Sequence, residues 1–394
     1  MQAAIIVIDS FGIGESPDAG KYGDNGSNTA LHICESVKGP KWPVLKKLGL
    51  GNCSEIAGNI LPGCEPVMHP LAGFSAMMEK SPGKGTTTGH WEIAGILLDK
   101  SFHTFKPDYP SFPEDLISAF KKETGLDVLG NKAASGIKII EELGSEHIKT
   151  GKPIVYTSAD SVFQIAAHDS VIPLKKLYEL CKVARKLCDP LKVARVIARP
   201  FTGEPGSFKR TKKRRDFSIA LPSKSILEHL QENGVETVGI GKIGNIFNEK
   251  GITHNYPDKG NPDCMNRTLE VLSTKTTIDR FIFVNLVDTD MHYGHRRDVK
   301  GYFNAVTEID SWLPEVMDSL KEDDFLIITA DHGCDPSFKG TDHTREYVPL
   351  LAYFKDNRFK NKDLGIRDGF YDIAQTLADY FNVPAVKNGK SFLW

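Results

Sequence analysis

The stretch FIFVNLVDTDMHYGH, residues 281–295, changes character halfway. Its first half, FIFVNLVD (281–288), is a near-continuous run of β-branched and aromatic residues with no polar alternation. Such a run fits a strand covered on both faces, which is the situation in a parallel sheet flanked by helices. Its second half then places Asp288, Asp290 and His295 within eight residues. Two other runs end the same way: AAIIVID (3–9) delivers Asp9 and FLIITAD (325–331) delivers Asp331, followed at once by His332. TVGIG (237–241) and VPLLAYF (348–354) are further buried-strand candidates.

Helical patterns lie between and after these strands. SKSILEHLQENG (223–234) repeats apolar residues at helical spacing, with Gly234 as the expected C-cap. YDIAQTLADYF (371–381) puts Ile373, Ala374, Leu377, Ala378 and Phe381 on one face. Strands alternating with helices predict an α/β fold with a largely parallel central sheet. The middle third carries a second α/β set: helix-like ASGIKIIEELG (134–144), strand-like PIVYTS (153–158), helix-like LKKLYELCKVARKLC (174–188) and strand-like ARVIARPF (194–201), closing on the basic FKRTKKRRD (208–216). This predicts a smaller α/β domain, 99–216, inserted into a core made of 1–98 and 217–394.

A chain of 394 residues is long for a single core, in keeping with that division. Lys plus Arg (49) nearly balance Asp plus Glu (51), giving a net charge of −2. That balance offers no electrostatic reason to expect nucleic acid or an anionic membrane as partner. The seven cysteines are odd in number and scattered without a C-x-x-C pair, so a disulfide framework is not expected and a reducing cytosol fits best. The N-terminal MQAAIIVIDSFG has no basic leader region and reads as a first strand, and no apolar stretch approaches the roughly 18 residues of a membrane span. The expectation is a soluble cytoplasmic protein with no evident obligate protein partner.

In open parallel sheets ligands bind beyond the carboxyl ends of the strands. Asp9, Asp290 and Asp331 arriving there together would repel one another unless a cation sits between them. His295, His332 and His343 (in GTDHTRE) accompany them. Carboxylate oxygen with imidazole nitrogen suits Mn, Zn or Fe better than Ca, and six such ligands suffice for two metals with open positions. Asp288 reads instead as a turn cap or orienting group, and His292 has no assigned role. Two adjacent metals are a device for in-line phosphoryl displacement and for activating a hydroxyl. GKGTTTGHWE (83–92) supplies the hydroxyls: a threonine among Thr86, Thr87 and Thr88, on a glycine-flanked turn before a helix beginning near Gly89, would meet a phosphate with helix-end N–H groups behind it.

Six segments in order, DSFGIGESPDA, GKGTTTGHWEIAG, YTSADSVFQIAAH, RVIARPF, NLVDTDMHYGHRRD and TADHGCDPSFKGTDHTRE, resemble the signature segments of the bacterial phosphopentomutases of the alkaline phosphatase superfamily, and the likeness runs from residue 3 to the C-terminal GKSFL. The resemblance implies an alkaline-phosphatase-like core with two Mn²⁺ ions and an inserted cap domain. It implies that Asp290, His295 and His343 hold one metal, that Asp9, Asp331 and His332 hold the other, and that Thr86 is the phosphorylated nucleophile, with Thr87 and Thr88 shaping the turn and capping the next helix. The implied reaction interconverts ribose 1-phosphate and ribose 5-phosphate, and their deoxyribose counterparts, through a 1,5-bisphosphate, with a sugar bisphosphate as phosphorylating activator. Ser158 and Asp160 match positions that contact the pentose; Arg199, Arg210 and Lys242 are candidate phosphate contacts. Lys212, Lys213 and Arg214 read as a solvated stretch. Two departures stand out: Gly85 where the family usually has Asp, and Thr289 where it usually has an aromatic. Competing expectations are a hydrolase or a phosphoglycerate mutase of the same superfamily, the latter disfavoured because it uses Ser, and a non-catalytic sugar-phosphate-binding protein.

Overall fold

The computed structural model describes residues 1–158 and 161–393. Its contacts divide into two compact units, residues 1–100 with 221–394, and residues 101–220.

The larger unit is built on one sheet. Its strands are β1 (Gln2–Ile8), β2 (Gly73–Met77), β3 (Glu236–Ile240), β4 (His254–Tyr256), β5 (Arg280–Leu286), β6 (Phe325–Thr329), β7 (Val348–Phe354) and β8 (Asp363–Arg367). They run in the order β4-β3-β5-β1-β6-β7-β2-β8. All neighbours are parallel except β7, which is antiparallel to both β6 and β2. The α/β class with a largely parallel sheet is therefore as the strand patterns predict. β1, β5 and β6 are buried along their whole length, which is why their sequences lack alternation. β2, β4 and β8 escape the sequence reading: GFSAM is rich in small residues, and the other two are short edge segments.

Register decides what this sheet can do. β1 lies between β5 and β6, with Ile8 opposite Leu286 and Val7 opposite Thr329. The residues that follow each strand thus leave the sheet at the same edge, side by side. The helix expected over 223–234 spans Ile226–Glu232, opened by a capping box of Ser225 and Glu228. It ends as expected at Gly234, whose φ of +83° is left-handed: the Gly234 N–H donates to the Gln231 carbonyl at 3.1 Å and the Val235 N–H to the Leu230 carbonyl at 3.0 Å, closing the last turn.

The smaller unit has its own six-stranded sheet, flanked by the helices Glu114–Thr124, Gly136–Thr150 and Leu174–Cys188. One face buries Phe112, Phe120, Phe163, Leu177 and Cys181, and the other Ile139, Ile154, Tyr156 and Phe201. Lys212, Lys213 and Arg214 are exposed, as the solvated reading expects, while the flanking Lys209–Arg210 and Arg215–Ser218 pair antiparallel with Arg195–Thr202. All seven cysteines are free and buried. Among the described residues no helix is long and apolar enough to cross a membrane.

Candidate metal centre and nucleophile

The shared carboxyl edge of β1, β5 and β6 brings together the six residues singled out above. His332 Nε2 lies 3.4 Å from Asp9 Oδ1 and 3.4 Å from Asp331 Oδ2. Asp290 faces two rings, with Oδ2 3.4 Å from His295 Nε2 and Oδ1 3.4 Å from His343 Nε2. Those two Nε2 atoms are 3.1 Å apart. Donors around one cation at about 2.0–2.2 Å are themselves roughly 3.0–3.5 Å apart in tetrahedral or octahedral arrangements. His332 groups with Asp9 and Asp331 on one side and with Asp290 and His343 on the other, so those two clusters adjoin through its ring, and Asp290 and His295 also group with Cys334.

Local backbone geometry explains the second cluster. Residues Thr289–Gly294 form a π-helical turn in which the His295 N–H donates to the Asp290 carbonyl, five residues back, at 3.2 Å. That wider turn brings Asp290 and His295 to one side, as a regular α-turn does not.

The protonation pattern fits cations rather than hydrogen bonds. His295 Nδ1 donates to the Thr341 carbonyl at 2.6 Å and His332 Nδ1 to the Gly333 carbonyl at 3.0 Å. A carbonyl only accepts, so each Nδ1 carries the proton and each Nε2 offers its lone pair to the cluster. Asp9 Oδ1 and Asp290 Oδ1 are buried with no hydrogen-bond partner among the described residues. Orphaned acceptors of this kind are costly unless a cation satisfies them. Without one, protons take its place: Asp290 and neighbouring Cys334 hold His295 up to about 12. Burial opposes charge on His332, yet Asp331 and Asp9 hold it up to about 10. Burial likewise opposes the Asp290 charge, but His343 and His295 keep that carboxyl well below the usual range.

Thr86 belongs to the first cluster, its Oγ1 3.2 Å from His332 Nε2. The helix that carries it spans Thr86–Ile93, three residues earlier than the sequence suggests, with extended Gly85 as N-cap. Thr87 and Thr88 are consequently inside the helix and cap nothing. The first intrahelical bond is Gly89 N–H to the Gly85 carbonyl at 3.1 Å, so the N–H groups of Thr86, Thr87 and Thr88 are left at the helix start, where an anion is favoured.

A model of the metalloenzyme superfamily matches residues 1–385. Phosphopentomutase of Acetivibrio thermocellus is 52% identical over 395 residues, covering 100% of this chain and 98% of that protein. Phosphopentomutase of Thermotoga maritima is 52% identical over 396 residues, with the same coverage. The chain belongs to the phosphopentomutase family. It is thus an enzyme of the isomerase class. A solved structure of Leishmania mexicana phosphoglycerate mutase covers 99% of this chain at 13% identity and a TM-score of 0.48, a likeness too remote to bear on function.

Several residues that organise this phosphopentomutase-family site have no signal in the sequence. Buried His90 places Nδ1 2.9 Å from the Thr86 carbonyl and 3.0 Å from Asp331 Oδ2, tying the Thr86 helix to Asp331. Glu92 accepts the backbone N–H groups of Lys80, Ser81 and Phe370. Asn285 donates to Asp9 Oδ2 at 3.0 Å. Cys334 sits 4.0 Å from His295 Nδ1, the side away from the Nε2 lone pair, and burial pushes its thiol up to about 12. Asp288 caps the helix Asn261–Ser273 by accepting the Asn261 N–H at 2.9 Å. Thr289 donates to the Asp9 carbonyl at 2.6 Å, a hydrogen bond that joins the ends of β5 and β1.

The candidate substrate contacts fall in both units. Lys242 Nζ is 3.9 Å from Asp9 Oδ2, on the core. In the 101–220 unit, Ser158 follows the strand Ile154–Thr157 and is partly exposed, while Asp160 lies outside the described residues. Arg199 is half-buried, its Nε bonded to Gln164 at 3.0 Å. Arg210 is exposed, and neither arginine has a carboxylate partner among the described residues. Beside them the fully buried Tyr156 hydroxyl has no partner among the described residues; a Cβ on Gly136, the first residue of the helix Gly136–Thr150, would lie 2.6 Å from it and 3.4 Å from Arg210 Nη1.

Proposed function

We propose that this enzyme interconverts ribose 1-phosphate and ribose 5-phosphate, and their 2-deoxy forms, by carrying a phosphoryl group on Thr86. The observation that supports this most directly is Thr86 Oγ1, 3.2 Å from His332 Nε2, at the start of a helix. Two Mn²⁺ ions are assigned, one to Asp9, Asp331 and His332 and one to Asp290, His295 and His343. Bound there, they supply Lewis-acid charge against a phosphoryl group in transfer.

This chain's own residues supply the rest. In the forward step the P–Oγ1 bond of phosphothreonine 86 breaks as the free hydroxyl oxygen of the sugar monophosphate bonds to phosphorus, and the hydroxyl proton passes to the freed Thr86 oxygen. The resulting 1,5-bisphosphate returns its other phosphate to Thr86 with the reverse proton movement. The helix-start N–H groups and Lys242 offset charge on the phosphoryl oxygens during both transfers. A sugar bisphosphate first loads Thr86. Ser158 and Asp160 are the sugar contacts and Arg199 and Arg210 a phosphate clamp, where the Tyr156 hydroxyl, unpartnered among the described residues, and the helix start at Gly136 favour an anion. Seven free buried cysteines favour a reducing, cytosolic setting.

The test is peptide mapping after incubation with a pentose or hexose bisphosphate and Mn²⁺. One phosphate on Thr86 is expected; phosphate on Thr87 or Thr88, or none, overturns the assignment. Free phosphate released as fast as isomerisation makes the enzyme a hydrolase.

A further inference from the structure

Arg345 stands two residues after His343 and is 2% exposed. Its guanidinium is wrapped by the segment that leads into Thr86. Nη1 donates to the carbonyls of Ser81 at 2.9 Å and Gly83 at 2.6 Å, and Nη2 to the carbonyl of Glu79. Nη1 also meets the Glu79 carboxylate, while Nε and Nη2 pair with Asp18 at 3.1 and 3.2 Å. Three alternate carbonyls on one planar cation force residues 79–83 to curl around it, a task that needs the fork of an arginine. The Tyr22 ring lies 5.1 Å below the guanidinium, and its hydroxyl accepts the Gly83 N–H at 3.1 Å.

The same short segment carries a candidate ligand. The backbone N–H of Arg345 bonds to Asp24 at 2.9 Å, and Lys84 reaches both Asp24 at 3.1 Å and Asp342 at 3.5 Å. His343 and the chain entering Thr86 are therefore fixed to a common set of groups.

We propose that Arg345 is a positioning residue that sets where Thr86 stands relative to the Asp9–Asp331–His332 cluster. This rests on the reading of Thr86 as phosphate carrier. A cation needed only to neutralise Glu79 and Asp18 could be a lysine; one that shapes three carbonyls could not.

The experiment compares wild type with Arg345→Lys and Arg345→Met, read by amide hydrogen exchange on the metal-free proteins, by phosphate uptake on Thr86 from a sugar bisphosphate, and by kcat and KM. In wild type the amides of Ser81 and Gly83, the hydrogen-bonded N–H groups beside Pro82, are expected to be protected. In Arg345→Lys they are expected to exchange at least about tenfold faster while β1 amides do not change. Its kcat is expected to fall about 100-fold with KM moving less than about threefold, the mark of misplaced reacting groups. Wild-type kcat in Arg345→Lys overturns the proposal, as does a rise in KM alone. Wild-type Ser81 and Gly83 amides exchanging as in an unstructured peptide overturn it without any variant having to fold. Wild-type protein that takes up no phosphate on Thr86 overturns the underlying reading instead, whatever the exchange data show.

Discussion

The backbone of Gly89 rests directly on that of Asp331: a Cβ on Gly89 would lie 2.0 Å from the Asp331 carbonyl oxygen. Within a helix glycine costs about 1 kcal/mol relative to alanine, so close approach is what the residue provides here. Gly89→Ala is expected to destabilise the fold by about 1–3 kcal/mol, the usual range for overpacking. It is also expected to push Thr86 from its cluster, lowering kcat about 100-fold. Urea unfolding and steady-state kinetics check the two parts; a variant with unchanged kcat contradicts the close contact.

Protons and metal compete for the same nitrogens. In metal-free protein Asp290 holds His295 up to about 12, while Asp331 and Asp9, against the effect of burial, hold His332 up to about 10. Both rings are protonated at pH 8 and must give up a proton to bind metal, so loading is expected to release about two protons per chain at that pH. Calorimetry in buffers of different ionisation enthalpy measures this. Each imidazolium contributes fully below the unfolded pKa of about 6.5, and the His332 contribution is lost as pH rises through about 10. The melting temperature of metal-free protein should therefore fall between pH 7 and 10, while the metal-loaded form should lack that fall. Proton uptake on loading contradicts the assignment.

Glu92 tests the support beneath the Thr86 helix. Its buried carboxylate gathers three backbone N–H groups, from Lys80, Ser81 and Phe370, and burial raises its pKa. Glu92→Ala strands all three and is expected to cost about 3 kcal/mol or more, with Glu92→Gln costing less because one acceptor oxygen remains. Chemical denaturation of both variants decides; equal losses contradict the account.

Gly85 is conformationally free to change. Its φ of −132° and ψ of 163° are extended, open to any residue, and a Cβ there would lie 3.3 Å from His343 Nδ1. Gly85→Asp is expected to fold after a small shift of that ring and to bind metal about tenfold more tightly or better, because it adds a carboxylate beside the centre. Competition against a chelator gives the answer, and weaker binding contradicts it.

The metal-centre candidates were legible because two local signals coincide in one place. Unbroken apolar runs mark β1, β5 and β6, and the first carboxylates after them stand out against that background. Arg345, Glu92 and His90 carry no comparable mark. Each acts through partners distant in sequence, such as Arg345 on Ser81 and Glu92 on Phe370, and those distances are closed only by the sheet order. The start of the helix at Thr86 was obscured because its N-cap, Gly85, offers no side-chain cap. β7 shows the opposite limit: its buried pattern marks a strand yet says nothing of direction, and it runs antiparallel to both neighbours.

The central position of β1 has a consequence for how the protein comes into being. Its neighbours in the sheet begin at Arg280 and Phe325, so the strand made first waits for partners made far later. During synthesis no emerging fragment that stops before Asp331 and His343 contains either complete donor cluster. The nascent chain consequently has little with which to capture a cation prematurely, and metal joins a largely assembled sheet, as a latch rather than a seed.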